Sequence, residues 1–139
     1  MKTYILTKLQ LKELIEDILL TFSEGVILLR GDLAAGKTTL TREIAKVLKC
    51  DADVTSPTFS LQHQYSNKLY HYDLYNHGLD HFISLGMLEE LEKNGLHIVE
   101  WGDVALENIL IEAGIAVKTI EIEKISDNTR KYKVYDAHA

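Results

Sequence analysis

The chain's 139 residues, 46% apolar and 26% charged, fit one domain with a substantial core and are too few for a TIM barrel or two catalytic domains; eight glycines and one proline are too few for a disordered or low-complexity chain. The lone Cys50 cannot close an internal disulfide, no apolar run approaches the ~18 residues that span a bilayer, and Met1-Lys2-Thr3-Tyr4 leads into strand-like sequence instead of a signal peptide, so the expectation is a soluble cytoplasmic protein, away from membranes. The net charge is −6, and between Asp51 and Val117 eleven acidic residues face only Lys68 and Lys93, with no arginine, which disfavours unaided binding of DNA or RNA because that affinity is built from clustered lysine and arginine.

No repeat, linker or composition break divides the chain, so a single domain over 1–139 is expected. Residues 4–6 read as a short strand. Thr7 then opens a helix, with Gln10 at capping-box spacing and Leu11, Leu14, Ile15, Ile18 and Leu19 forming one apolar stripe. Ser23-Glu24-Gly25 stops it. Val26-Ile27-Leu28-Leu29 is the continuous apolar run of a strand buried on both faces. After the loop at 31–38 a helix is predicted to about Lys49, with Leu40, Ile44, Val47 and Leu48 inward. Ser56-Pro57 breaks the chain. Residues 59–65 and 69–74 read as two strands around Ser66-Asn67-Lys68. Residues 80–91 are predicted helical, 96–99 a buried strand ending at Glu100-Trp101, and 104–111 a short helix. Residues 117–122 and 130–135 form a closing antiparallel pair around Ser126-Asp127-Asn128. The expected fold class is α/β, with a mixed parallel and antiparallel sheet.

Gly31-Asp32-Leu33-Ala34-Ala35-Gly36-Lys37-Thr38 matches G-x-x-x-x-G-K-[ST]. The chemistry needs these residue types at this spacing. Successive backbone N–H groups must wrap a phosphate, and glycine lets the backbone bend and approach closely. The following helix points its positive end at the same phosphate. The expected nucleotide contacts are Ala34, Ala35, Gly36, Lys37, Thr38 and Thr39: Lys37 reaches the β- and γ-phosphates, and Thr38 offers its hydroxyl to Mg2+. The loop follows a buried strand and precedes an amphipathic helix, the arrangement of a three-layer P-loop NTPase-like domain.

The motif says nucleoside triphosphate, not what is done with it. A GTPase would carry N-K-x-D and D-x-x-G, and neither is present. A small-molecule kinase closes arginines over the transferred phosphoryl group; the arginine-free middle argues against it, though a P-loop kinase stays the alternative. A non-hydrolysing nucleotide-binding adaptor is a further rival. An ATP-binding switch or slow ATPase fits best, its output a conformational change read by a partner. Asp73 and Glu100 each end an apolar strand, where parallel α/β sheets collect ligands. One of the two is expected to hold Mg2+ and the other to orient the attacking water, a count that suits Mg2+. Thr58, beside the only proline, is placed either to sense Mg2+ or the γ-phosphate or simply to start a strand. Trp101 is read as stacking on a base, meeting a partner or filling the core. Cys50 is read as packing.

Together, the phosphate loop extended to Thr39, Ser56-Pro57-Thr58-Phe59, His71-Tyr72-Asp73-Leu74-Tyr75 and Val99-Glu100-Trp101 resemble the TsaE (YjeE) family in order and spacing. The resemblance covers about residues 4–113 well and the last strands loosely, and its specificity lies in the combination. It implies an ATPase required in bacteria to make threonylcarbamoyladenosine beside the tRNA anticodon. Such a protein acts with the TsaD–TsaB pair, meets tRNA only through that complex, and is a monomer or weak oligomer alone. It also implies ATP and Mg2+ as ligands. Lys37 and Thr38 become the phosphate and Mg2+ contacts, Glu100 a second Mg2+ ligand, Asp73 a catalytic or Mg2+-linked acid, and Thr58 a switch residue. The adenine would sit between Thr7 and Arg130. Three positions depart from the family pattern: Ala34 stands where glycine is common, Asn76 where arginine is, and Gly102 where proline is.

Overall fold

The computed structural model describes residues 1–32, 35–50, 61–66, 68–75 and 78–136. Strand β1 (Lys2–Thr7) passes through one 3-10 turn (Lys8–Gln10) into helix α1 (Leu11–Thr21). The Thr7–Gln10 cap forms, with the Thr7 N–H donating to Gln10 Oε1 at 2.9 Å, which satisfies an amide that a helix start leaves free. The helix begins later than the sequence suggested, because Thr7 is still paired with Thr129 in the sheet and the chain leaves that ladder by a tight turn.

Strand β2 (Gly25–Arg30) feeds the phosphate loop, and helix α2 (Lys37–Val47) leaves it. Then come β3 (Gln62–Ser66), β4 (Leu69–Asp73), α3 (Leu79–Ser84), α4 (Met87–Glu90), β5 (Leu96–Glu100), α5 (Val104–Glu112), β6 (Val117–Lys124) and β7 (Thr129–Asp136). The single helix expected over 80–91 is in fact two short ones. Gly86 adopts φ +76°, which the right-handed helix excludes, so the chain turns there and restarts at Met87. Phe82, Met87 and Leu91 still reach one core.

Among the described residues seven strands form one sheet, in the order β1-β7-β6-β2-β5-β4-β3. Its centre is parallel (β6/β2, β2/β5, β5/β4) and its flanks antiparallel (β1/β7, β7/β6, β4/β3). β2 lies inside that centre, which is why its sequence is apolar without alternation. Against one face pack α1 and α2, joining Leu11, Leu14, Ile15, Ile18, Leu40 and Ile44 to Ile27, Leu29, Ile98 and Ile120. The other face carries α3, α4 and α5, joining Phe82, Met87, Leu106 and Leu110 to Val26, Leu28, Tyr72 and Val99. Cys50 packs against the first of these cores, its Sγ 3.4 Å from Ser66 Oγ.

Two polar arrangements brace the layers. Buried His97 donates from Nε2 to Lys93 O at 2.8 Å, which leaves Nδ1 to accept from the Tyr72 hydroxyl at 2.8 Å; Gln62 Nε2 donates to that hydroxyl (3.2 Å) and to Glu90 (3.1 Å). Arg30, at the end of β2, donates to Gly102 O at 3.2 Å and to Glu107 of α5 at 2.8 Å. In the β6/β7 register Lys133 faces Glu121 and Lys131 faces Glu123, while Arg130 turns to the phosphate loop.

Candidate phosphate and cation site

The site forms where three parallel strands end together. Leu29 of β2 is level with Glu100 of β5, and Glu100 with Asp73 of β4. Past β2, a Cβ on Gly31 would lie 2.6 Å from Ile122 O, so only glycine lets the loop pass that close to β6. Ala35 N–H closes a turn on Asp32 O at 2.9 Å, and Gly36 at φ +109° bends the chain into α2. Lys37 and Thr38 thus occupy the first helical turn, whose amides have no intrahelical acceptor.

Lys37 is buried at 3% exposure, its ammonium folded into the loop. It donates to Gly31 O at 2.7 Å and Asp32 O at 2.8 Å and lies 4.1 Å from the centroid of the Trp101 ring. Burial pulls its pKa below the ordinary lysine range, against the opposing pull of Glu100, Asp32 and Asp73. Trp101 therefore packs over Lys37, with Tyr75 beside it at 4.9 Å between ring centroids. It holds a left-handed φ of +67°, unusual for a residue with a side chain and of a kind that collects at functional sites.

Thr38 is exposed, and its hydroxyl lies 3.3 and 3.2 Å from the two oxygens of Glu100, longer than a tight O–H···O bond. Glu100 itself is buried at 3% exposure and is also bound by His71 Nε2. Asp73 accepts from the Tyr75 N–H at Oδ1 (2.9 Å), which fixes the turn after β4. A hydroxyl beside one carboxylate at the loop tip, with a second carboxylate level with it, is an all-oxygen set suited to Mg2+. Among the described residues no group of three or more His, Cys, Asp or Glu gathers into a richer metal site.

Thr7, Gly36, Thr39 and Arg130 line one cleft of about 430 Å3 together with Leu9 and Tyr132. Arg130 Nε donates to Ala35 O at 2.9 Å, tying β7 to the loop. Ala34, Thr58 and Asn76 lie outside the described residues. Gly102 is buried, and a Cβ there would meet Leu28 and Leu106 at 3.1 Å and Val99 at 3.3 Å, so neighbouring side chains already fill that space. Sequence reasoning missed His71 as a partner of the site. The signal for His71 was its place two residues before Asp73, which puts both on one strand face, but only the register reveals that Glu100 is within reach.

The strand–loop–helix at the centre of a mixed sheet covered by helices on both faces defines the class, an α/β domain of the P-loop type. Residues 6–132 match the family described as "Threonylcarbamoyl adenosine biosynthesis protein TsaE". The chain is 34% identical to the tRNA threonylcarbamoyladenosine biosynthesis protein TsaE of Treponema pallidum over 113 residues, covering 79% of this chain and 81% of that one. It is 38% identical to that of Aquifex aeolicus over 118 residues (79% and 76%) and 42% identical to that of Nostoc sp. over 86 residues (60% and 51%). The fold is similar to the crystal structure of Bacillus subtilis YdiB, with a TM-score of 0.66 and 26% identity, covering 98% of this chain and 85% of that one. The chain belongs to the TsaE family, whose role is in the biosynthesis of threonylcarbamoyladenosine in tRNA. Among the described residues no helix is long and apolar enough to cross a membrane.

Proposed function

We propose that the protein binds Mg-ATP at this loop, hydrolyses it slowly alone and faster on a partner, and acts with the TsaD–TsaB pair in threonylcarbamoylation of the tRNA adenosine beside the anticodon. One observation carries the reading: the Thr38 hydroxyl rests on both oxygens of a buried strand-end glutamate, directly beside a lysine held inside a glycine-bounded loop. Lys37 exchanges its two carbonyl acceptors for phosphate oxygens, trading neutral partners for charged ones. The free amides of the first turn of α2 bind the same polyanion. Thr38 and Glu100 would hold Mg2+, which would supply positive charge to offset that of the phosphates. Asp73, its Oδ1 fixed by the Tyr75 amide, is assigned to orient water or a metal-bound ligand. Thr58 is assigned the switch role. The cleft between Thr7 and Arg130 takes the adenine, with Leu9 and Tyr132 as its apolar walls.

The decisive measurement is phosphate release from ATP with and without TsaD and TsaB. Stimulated release supports the reading. ATP binding without release under both conditions leaves a nucleotide-binding adaptor, and phosphate transfer to a metabolite leaves a kinase.

A further inference from the structure

We propose that His71 is a positioning residue that orients Glu100 for the divalent cation; this rests on the functional reading above. His71 lies on β4 opposite Ile98 of β5, so Glu100, two residues further along β5, is its diagonal neighbour on the same sheet face. Both side chains are buried, at 8% and 4% exposure. A carboxylate so enclosed needs donors. Thr38 supplies only long contacts, and the short one comes from His71 Nε2 to Oε2.

The imidazole in turn is braced from the neighbouring strand. His63 is its direct cross-strand partner with ring centroids 6.0 Å apart, and Tyr65 stacks at 6.3 Å. Its other nitrogen, Nδ1, is buried with no hydrogen-bond partner among the described residues. Among the described residues, the ring's one hydrogen-bond partner is thus Glu100, and Nδ1 stays buried without one. A residue kept only to fill space could be apolar at this position and bury no such atom. Pinning Oε2 fixes the plane of the carboxylate, so that the ligand oxygen is already aimed before Mg2+ arrives.

The test compares wild type with His71→Leu (similar bulk, no donor), His71→Gln (amide donor of similar reach) and His71→Asn (donor too short). Binding of a fluorescent ATP analogue to the full chain is titrated with Mg2+ and repeated in excess EDTA. His71→Leu should raise the Mg2+ concentration for half-maximal effect by roughly 10- to 100-fold, leave Mg2+-free affinity within about twofold, and be largely rescued by His71→Gln. Should the leucine variant fail to fold, the contrast of Gln against Asn carries the same distinction. A wild-type Mg2+ dependence left unchanged in His71→Leu, or equal in Gln and Asn variants, overturns this inference alone. A wild type with no Mg2+ dependence overturns the functional reading and this inference with it.

Discussion

Replacing Lys37 by methionine keeps most of the side chain's bulk and removes its charge, which separates what the fold needs from what a nucleotide needs. The buried ammonium makes two charge-assisted hydrogen bonds, to Gly31 O and Asp32 O, each worth ~1.5–3 kcal/mol. Against them stands the desolvation of a cation, several kcal/mol, which is the cause of the lowered Lys37 pKa. Methionine loses both contributions, and the freed carbonyls belong to a half-buried and an exposed residue that water can reach. The two nearly offset, so stability should stay within about 2 kcal/mol of wild type, a midpoint shift below roughly 8 °C for a chain of this length. A bound triphosphate has no such compensation. Two lost charge-assisted contacts correspond to ~3–6 kcal/mol, or a ~10²- to 10⁴-fold weaker ATP affinity. Calorimetric ATP titration paired with thermal unfolding tests both halves. ATP affinity within tenfold of wild type would remove Lys37 from the site. A collapse of the unfolding midpoint would show that the lysine is structural instead.

Glu100→Ala should keep measurable nucleotide binding while partner-stimulated phosphate release falls by at least about 10²-fold; release at the wild-type rate would refute its role. Tyr72→Phe removes a hydroxyl whose loss strands His97 Nδ1 in the core, so unfolding should cost ~1–3 kcal/mol less, with ATP affinity unchanged because Tyr72 faces the α3–α5 side; undiminished stability in denaturant titration would contradict the network. Burial holds the pKa of His97 below its ordinary 6.5, so the unfolded chain takes up a proton that the native one refuses. Stability is then full above pH 6.5 and declines as pH falls from there toward the lowered value, by at most about 1.4 kcal/mol per pH unit for this group. Denaturation at pH 7.5 and 5.5 should show a shallower slope in His97→Gln, and identical slopes would refute the assignment.

Much of this was legible because it was local. The phosphate loop is a contiguous motif, the β2 run is apolar on both faces, and the Thr7–Gln10 cap spans three residues. The break at Gly86 was missed because Phe82, Met87 and Leu91 keep a plausible helical pattern across it, and a glycine in such a pattern does not reveal its φ. The His71–Glu100 contact and the Arg30 link to Gly102 and Glu107 were illegible for a different reason. They join residues 29, 72 and 77 positions apart, and depend on strand order, which hydrophobic periodicity does not encode. Trp101 had several readings, and its place over Lys37 follows from a backbone turn at its own α-carbon that composition cannot show.

Strand register connects the fold to the chemistry. Along β5, Leu96 and Ile98 face α1 and α2 whereas His97 and Val99 face α3–α5, and Glu100 inherits the first face by alternation alone. A slip of one residue against β2 or β4 would turn Glu100 away from Thr38 and His71 and set an apolar side chain in its place. That slip is opposed by burial of Ile98 and Val99, both at 0% exposure, each worth ~1.5–3 kcal/mol, and by the His97–Tyr72 hydrogen bond on the opposite face. The groups that hold the carboxylate in register are therefore largely on residues that never touch a ligand. Mutations at Val99, His97 or Tyr72 should accordingly lower the amount of folded protein before they alter the intrinsic properties of the site.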